Sequence, residues 1–440
     1  MHLATIPLGV RSLRAAYRDG TLTPHDVVDA VLARISERGD DAVWISRFTR
    51  DELHDQVATL NPGPLFGVPF AVKDNIDVAG LPTTAACPAF AHSPAVDATA
   101  VRLLRQAGAI VVGKTNLDQF ATGLNGSRSP YGACESVFGG DLISGGSSSG
   151  SAVAVAAGEV AFSLGTDTAG SGRVPAALNG IVGLKPTRGL VSTAGVLPAC
   201  RSLDCVSVFT QDLSDAADVL AVIAQPDAAD PWSRPLRGDG GPDPLLRARL
   251  LLPDELDFDG DTAMESAFAA VAAGAGAVGT TPIAPLREAG DLLYSGPWVA
   301  ERLAGLEGVL ADHPDDVLPV IRAVVGKGVE FTAVDAFRGL HRLQELRAAT
   351  DRLWGRADAL LLPTVPTTFT RAQIAEQPVA RNLVLGRYTQ FANLLDLAAV
   401  AVPAGFTADG RPVGVTLLGP AFSEDRLISA AHQLITREAA

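Results

Sequence analysis

Residues Gly145 to Arg173 read GGSSSGSAVAVAAGEVAFSLGTDTAGSGR. Two serine clusters, each led by glycine, flank one apolar unit. That unit predicts a small-residue helix at about 150–157 and a strand, VAFSLG, at 160–165. A loop–helix–strand–loop order is a fragment of an α/β fold. The neighbouring segments continue it. Upstream, GVPFAVKDNI (67–76) predicts a buried strand ending at Lys73. Asp97 is expected to open a helix in DATAVRLLRQAGA, and AIVVGK (109–114) follows as a strand. Downstream, GIVGLKP (180–186), ARLLLP (248–253), ADALLLPTVP (357–366), AAVAVPAG (398–405) and PVGVTLLGP (412–420) all carry the apolar runs of buried strands. Near the N-terminus, TPHDVVDAVLARI predicts a helix capped by Thr23, with Pro24 in the first turn and Val27, Val28, Val31, Leu32 and Ile35 on one face. The expected fold class is α/β, with a large mixed, mostly parallel central sheet covered by helices on both faces. The stretch 225–245 is rich in Pro, Gly and Asp and reads as a surface connection. Residues 255–356 read as a helical middle region of one domain spanning 1–440.

Composition narrows the function. The chain has 440 residues, 47% of them hydrophobic and 19% charged, enough to bury a large core. Its formal net charge of −14 argues against nucleic-acid or anionic-membrane partners, which require basic surface. The four cysteines form no CxxC pair and no zinc spacing, so neither a disulfide framework nor a metal is expected, and a cytoplasmic setting follows. Glu159 interrupts the longest apolar run, so no membrane span is expected.

The chemistry lies in the serine loops. The cluster around Ser171 follows a strand, where open α/β sheets place ligand crevices. Small residues before it allow backbone N–H groups to converge on one point, as an oxyanion hole requires. A serine hydroxyl needs a base. None of the seven histidines lies in a glycine-rich strand end, so a Ser-His-Asp arrangement is poorly supported. Lys73 is the alternative. At the end of an apolar strand it is desolvated, which lowers an ammonium pKa from about 10.4. A relay Lys73–Ser147–Ser171 is then possible. Two plainer readings stand beside it. A Gly-Gly-Ser loop before a helix can cradle phosphate, although the GK[ST] ending of a P-loop and any GxGxxG are absent. A lysine closing a strand can also simply snorkel to the surface.

The combination of VKDNIDVAG around Lys73, GGSSSGSA, and GTDTAGSGRVPAALNGIVGLKPT resembles the amidase signature family, over a block from about 64 to 212. The C-terminal VPAGFTADGRPVGVTLLGP is similar too. The resemblance implies a Ser-cisSer-Lys triad, with Ser171 as acylated nucleophile, Ser147 as bridge after a cis peptide, and Lys73 as base. It implies oxyanion donors at the N–H groups of Thr168, Ala169, Gly170 and Ser171, braced by an Asp167–Arg173 pair. Ala169 departs from the usual glycine and requires a negative φ. The extra serine makes Ser148 a rival to Ser147. Within the family, NLDQFATGLNGSRSPYGAC (116–134), YSGPWVAERLAGL (294–306) and RYTQFANLLDLAAVAVPAG (387–405) resemble allophanate hydrolases. That likeness implies hydrolysis of a small anionic amide with release of ammonia, no cofactor, and a homodimer. Tyr294 and Arg302 would hold the substrate carboxylate from one helix face, with Gly123 and Arg128 as further substrate-binding candidates. Allophanate hydrolases often carry a C-terminal accessory domain, which is not expected here. The alternatives are another enzyme of the family (a carboxybiuret hydrolase, a general amidase or a glutamine amidotransferase subunit) and a non-catalytic small-anion-binding protein.

Overall fold

The computed structural model of the protein describes residues 6–235 and 247–438. Its strands are β1 (Trp44–Arg47), β2 (Pro69–Lys73), β3 (Ile110–Thr115), β4 (Phe162–Asp167), β5 (Val182–Lys185), β6 (Cys205–Thr210), β7 (Leu250–Pro253), β8 (Gly279–Thr281), β9 (Ala359–Pro363), β10 (Ala398–Phe406) and β11 (Pro412–Gly419). They form one 11-stranded sheet in the order β1-β3-β2-β4-β6-β5-β10-β11-β9-β7-β8. β2 runs parallel to both its neighbours, β3 and β4, and β7 runs parallel to β8 and β9. Every other adjacent pair is antiparallel. The sheet is therefore mixed, as expected, but not mostly parallel. One reason is local. β10 and β11 are joined by a short turn in which Thr407 N–H donates to Arg411 O at 2.9 Å and Gly410 has φ +84°. Short connections return a strand antiparallel, whereas parallel pairing needs a long crossover.

Helices cover both faces. In β9, Ala359 and Leu361 enter one apolar core while Leu360 and Leu362 enter another, the period-two alternation of a strand buried on both sides. The first core is filled by Val27, Val31 and Ile35 of helix Pro24–Arg38 and by Leu427 of helix Glu424–Glu438. The second takes Leu286 and Leu293 of helix Ala284–Tyr294 and Leu343 and Leu346 of helix Ala333–Asp351. The expected cap at Thr23 is present as a reciprocal pair. Asp26 N–H donates to Thr23 Oγ1, and Thr23 N–H donates to Asp26 Oδ2.

Two expectations need correction. Asp97 does not cap the next helix, which spans Thr99–Gln106. Its carboxylate accepts Ala79 N–H at 2.8 Å instead. The middle region is not wholly helical, because β8 extends the sheet edge there. The first part of the 225–245 connection is tied down: Asp230 accepts Thr193 N–H, and Arg234 reaches Asp396 at 2.9 Å. Residues 236–245 of it lie outside the described residues. All four cysteines are buried and unbridged. No helix among the described residues is long and apolar enough to cross a membrane.

The site follows from this layout. β2 and β4 are parallel neighbours in register at Val72 and Leu164, so Lys73 and the loop after Asp167 emerge at the same sheet edge. Helix Ser149–Ala156 begins beside them, and its Gly150 has no room for a side chain. A Cβ there would run into Val43 O and come within 2.7 Å of Asn116 N. Gly150→Ala is expected to destabilise by about 1–3 kcal/mol through overpacking. Gly308→Ala, on the exposed face of helix Trp298–Asp312 with nothing within 4 Å, is expected to stabilise by about 0.5–1 kcal/mol. Thermal unfolding of the two variants checks the opposite signs.

Candidate active site

Three side chains from three segments form one hydrogen-bonded chain. Lys73 Nζ donates to Ser147 Oγ at 2.8 Å, and Ser147 Oγ donates to Ser171 Oγ at 2.9 Å. A third hydroxyl, Thr166 Oγ1, accepts from Lys73 Nζ at 2.7 Å. The Gly146–Ser147 peptide is cis. Ser148 is no rival to Ser147, because its hydroxyl points at Thr166 O, 3.2 Å away. Lys73 is fully buried and makes no ion pair among the described residues. Burial lowers its pKa to about 7, with the more distant charges of Asp118, Asp204 and Asp167 opposing the shift. An amine balanced between its two forms near neutral pH, bonded to a serine that is bonded to another serine, can relay a proton from Ser171.

The loop after β4 is rigidly held. Arg173 donates to both oxygens of Asp167, at 2.9 and 3.0 Å, and the pair is wholly buried. The same carboxylate accepts the N–H groups of Gly170 and Gly172, at 2.9 and 3.0 Å. Gly170 is thereby removed from the expected oxyanion donors, since its N–H is spent on Asp167. The N–H groups of Thr168, Ala169 and Ser171 have no acceptor among the described residues. Gly170 has φ +130°, and Thr389 occupies the place of a Cβ. Ala169 is absent from the positive-φ positions, as its methyl requires. Its carbonyl accepts Thr389 Oγ1 at 2.7 Å, and Asn393 Nδ2 donates to Asp167 O at 2.8 Å. Thr168 Oγ1 donates to Asp204, a carboxyl that burial pushes up to about 6.

Tyr294 and Arg302 are brought together, though not on one helix. Tyr294 ends the helix Ala284–Tyr294 and Arg302 lies in the helix Trp298–Asp312. Gly296 and Pro297 separate them, as proline at a helix start dictates. Arg302 Nη2 lies 3.4 Å from Tyr294 Oη, and its Cζ lies 5.1 Å from the ring centroid. Arg302 is 1% exposed, yet no carboxylate among the described residues pairs with it, and its Nε has no partner. Its other contact is Nη1 to Thr122 Oγ1 at 3.3 Å. Arg128 is also buried and also without a carboxylate partner within ion-pair distance. Its Nη1 donates to Thr122 O at 2.9 Å and its Nη2 to Pro378 O. Two of its arms are thus committed to backbone. Gly123, next to Thr122, packs against the Asp118 carboxylate so closely that no Cβ fits.

Asp118 is the residue that sequence reasoning missed. Its N–H donates to Ser147 O at 3.0 Å, and its carboxylate accepts Gly126 and Arg128 N–H at 3.1 and 2.9 Å. It therefore ties the arginine end of the 118–128 loop to the serine turn. The signal was a lone acid in the otherwise uncharged NLDQFA. Thr166, Thr389 and Asn393 were missed because their roles depend on contacts across the sheet edge. No cluster of three or more potential metal ligands occurs among the described residues.

A family model described as Amidase matches residues 26–248 and 328–428. The urea amidolyase of Lachancea kluyveri is 44% identical over 431 residues, covering 94% of this chain and 24% of that protein. This chain therefore spans about a quarter of such relatives. A glutamyl-tRNA(Gln) amidotransferase subunit from Halothermothrix orenii is 32% identical, covering 97% of this chain and 96% of that protein. Among solved structures, Kluyveromyces lactis allophanate hydrolase superposes with a TM-score of 0.93 at 41% identity, covering 98% of this chain and 73% of that one. With most of its length matched by the family model, and with lysine and serines meeting at one sheet edge, this chain belongs to the amidase family of amide-hydrolysing enzymes.

Proposed function

We propose that the chain hydrolyses a small amide bearing a carboxylate, with allophanate (urea carboxylated on one nitrogen) as its substrate. The observation that carries this reading is the buried Arg302 guanidinium with no carboxylate of its own. A buried unpaired cation is costly, and a bidentate carboxylate is its natural complement. Tyr294 supplies a hydroxyl to the same group, and Arg128 adds positive potential behind Thr122. The likeness to the K. lactis allophanate hydrolase supports the same substrate.

The reaction runs through Ser171. Neutral Lys73 accepts the Ser147 proton as Ser147 accepts that of Ser171. The Ser171 oxygen bonds to the amide carbon, and the oxyanion accepts the free N–H groups of Thr168, Ala169 and Ser171. The C–N bond breaks, and the proton held by Lys73 returns through Ser147 to the leaving ammonia. Water then adds to the acyl carbon by the same relay and releases the acid.

The second reading is glutamine hydrolysis, favoured by the full-length likeness to the amidotransferase protein. Glutamine carries an ammonium as well as a carboxylate, and two buried arginines without an ion-paired acid disfavour it. Ammonia release from allophanate, glutamine, malonamide and acetamide separates the readings. Allophanate turnover is expected, with loss of at least about a thousandfold in Ser171→Ala. Turnover of glutamine or of neutral amides in its place would overturn the carboxylate reading. Arg302→Met is expected to lower kcat/KM for allophanate by about 10- to 100-fold, the worth of a charge-assisted hydrogen bond.

The pH profile tests the base. Lys73 acts when neutral, and its folded-state pKa lies at about 7, below that of a free lysine. Activity is therefore present above that value and lost as pH falls through it. The acid limb of kcat/KM is expected near pH 7, and a limb near pH 10 would show an unshifted lysine.

A further inference from the structure

The 440 residues include only four lysines, against an abundance of arginine. Lys73, Lys114 and Lys185 are fully buried. Each has a contact that accounts for it: Lys73 bonds Ser147, Lys114 pairs with Asp74 at 3.0 Å, and Lys185 donates to Pro186 O at 2.7 Å. The fourth, Lys327, is exposed, and its ammonium has no hydrogen bond or ion pair among the described residues. It lines a small cavity of about 100 Å³ together with Arg128, Tyr294, Ser295, Val324 and Asn382. The outer lip of that cavity is apolar, formed by Val379 and Leu383, both about two-fifths exposed.

Its position is fixed from below. Gly328 packs on Leu303 and Val299 of the helix that carries Arg302, with no space for a Cβ. Lys327 thus stands on the roof of the Arg302 helix, facing the helix Ala380–Gly386 across the opening. From it, the cationic groups continue inward. Arg128 touches Thr122 O, and Thr122 Oγ1 touches Arg302. Arg387, in the adjoining pocket that shares Tyr294 and Leu383, contributes little, because Asp257 and Asp259 neutralise it at 3.0 and 3.1 Å.

We propose that this cavity is the entrance for the anionic substrate, and that Lys327 is the residue that captures the carboxylate there and passes it inward to Arg302. The inference rests on the carboxylate reading above. On a chain of net charge −14, an anion meets a repulsive surface almost everywhere. A single unpaired cation at the mouth sets the encounter rate and its salt dependence. An ammonium suits capture better than a guanidinium, because it is a compact, mobile charge that holds no planar geometry and releases its guest readily.

The test compares wild type with Lys327→Ala, Lys327→Glu and Lys327→Arg. The readout is the ratio of kcat/KM for allophanate to that for neutral malonamide, at about 20 and 300 mM salt. A parallel arm measures the rate of Ser171 labelling by a carboxylate-bearing fluorophosphonate relative to a neutral one. Lys327→Ala is expected to lower both ratios about tenfold at low salt, and Lys327→Glu further. The deficit should shrink at high salt, and Lys327→Arg should restore most of it. Ratios unchanged in Lys327→Glu would overturn the entrance role. If wild type turns over malonamide but not allophanate, the substrate reading falls, yet the labelling ratio still judges Lys327. If neither labelling nor turnover occurs in wild type, both proposals fall together.

Discussion

The site depends on keeping one ammonium out of water. Lys73 ends the buried strand β2, fully enclosed, with hydroxyls and no carboxylate as its direct partners. A close ion pair would hold it charged, at odds with the base role proposed above. Serine and threonine oxygens satisfy its protons without stabilising its charge to the same degree. The acids nearest in space, Asp118, Asp204 and Asp167, are each engaged with other donors: backbone N–H groups, the Thr168 hydroxyl or Arg173. Their charges temper the shift without abolishing it, and the result lies near neutrality.

The Asp167–Arg173 pair answers a different requirement. A buried ion pair is weak evidence of stability, since desolvation offsets much of its attraction. Here the carboxylate does more than meet the arginine. It gathers the N–H groups of Gly170 and Gly172, on either side of Ser171. Those two bonds curl the loop so that the intervening N–H of Ser171, and those of Thr168 and Ala169, are left unpaired. An oxyanion hole made of backbone must leave donors unsatisfied in the resting state, and some other group must impose that shape. For the oxyanion hole proposed here Asp167 supplies that shape, while Arg173 neutralises it and reaches Thr389 O at 2.9 Å to fix the loop to the C-terminal part of the fold.

Much of this was legible in the chain itself. The strand ending at Lys73 and the glycine-led serine turns lie within short segments whose local chemistry is self-explanatory, whereas the Asp167–Arg173 pair came only with the family resemblance. What was not legible depends on contacts between distant segments. The direction of each strand is set by connections that composition does not encode, so a mixed but mostly parallel sheet was expected where antiparallel pairs outnumber parallel ones. Tyr294 and Arg302 were placed on one helix by their spacing of eight, and Gly296-Pro297 shows why that spacing misled. The two residues meet across a turn. Gly170 was an oxyanion donor only as the family resemblance implies, and the facing carboxylate of Asp167 takes its N–H. Asp118 had no local signal beyond its isolation among uncharged residues.

Charge is distributed unevenly over the molecule. A net charge of −14 would repel an anionic substrate, yet three cations, Arg128, Arg302 and Lys327, stand without carboxylate partners around Tyr294. Elsewhere the chain pairs its arginines freely with acids, as Arg342 with Glu288 and Arg249 with Asp358 do on the surface. Arg128 and Arg302 differ in being buried beside one another with no ion pair. Leaving two guanidiniums buried without counter-ions costs stability. A structure tolerates that cost where a ligand completes the balance, and the 118–128 loop connects that unbalanced charge to the serine turn through Thr122 and Asp118. On the proposed reading, the carboxylate-binding end and the proton-relay end are joined by this single buried loop.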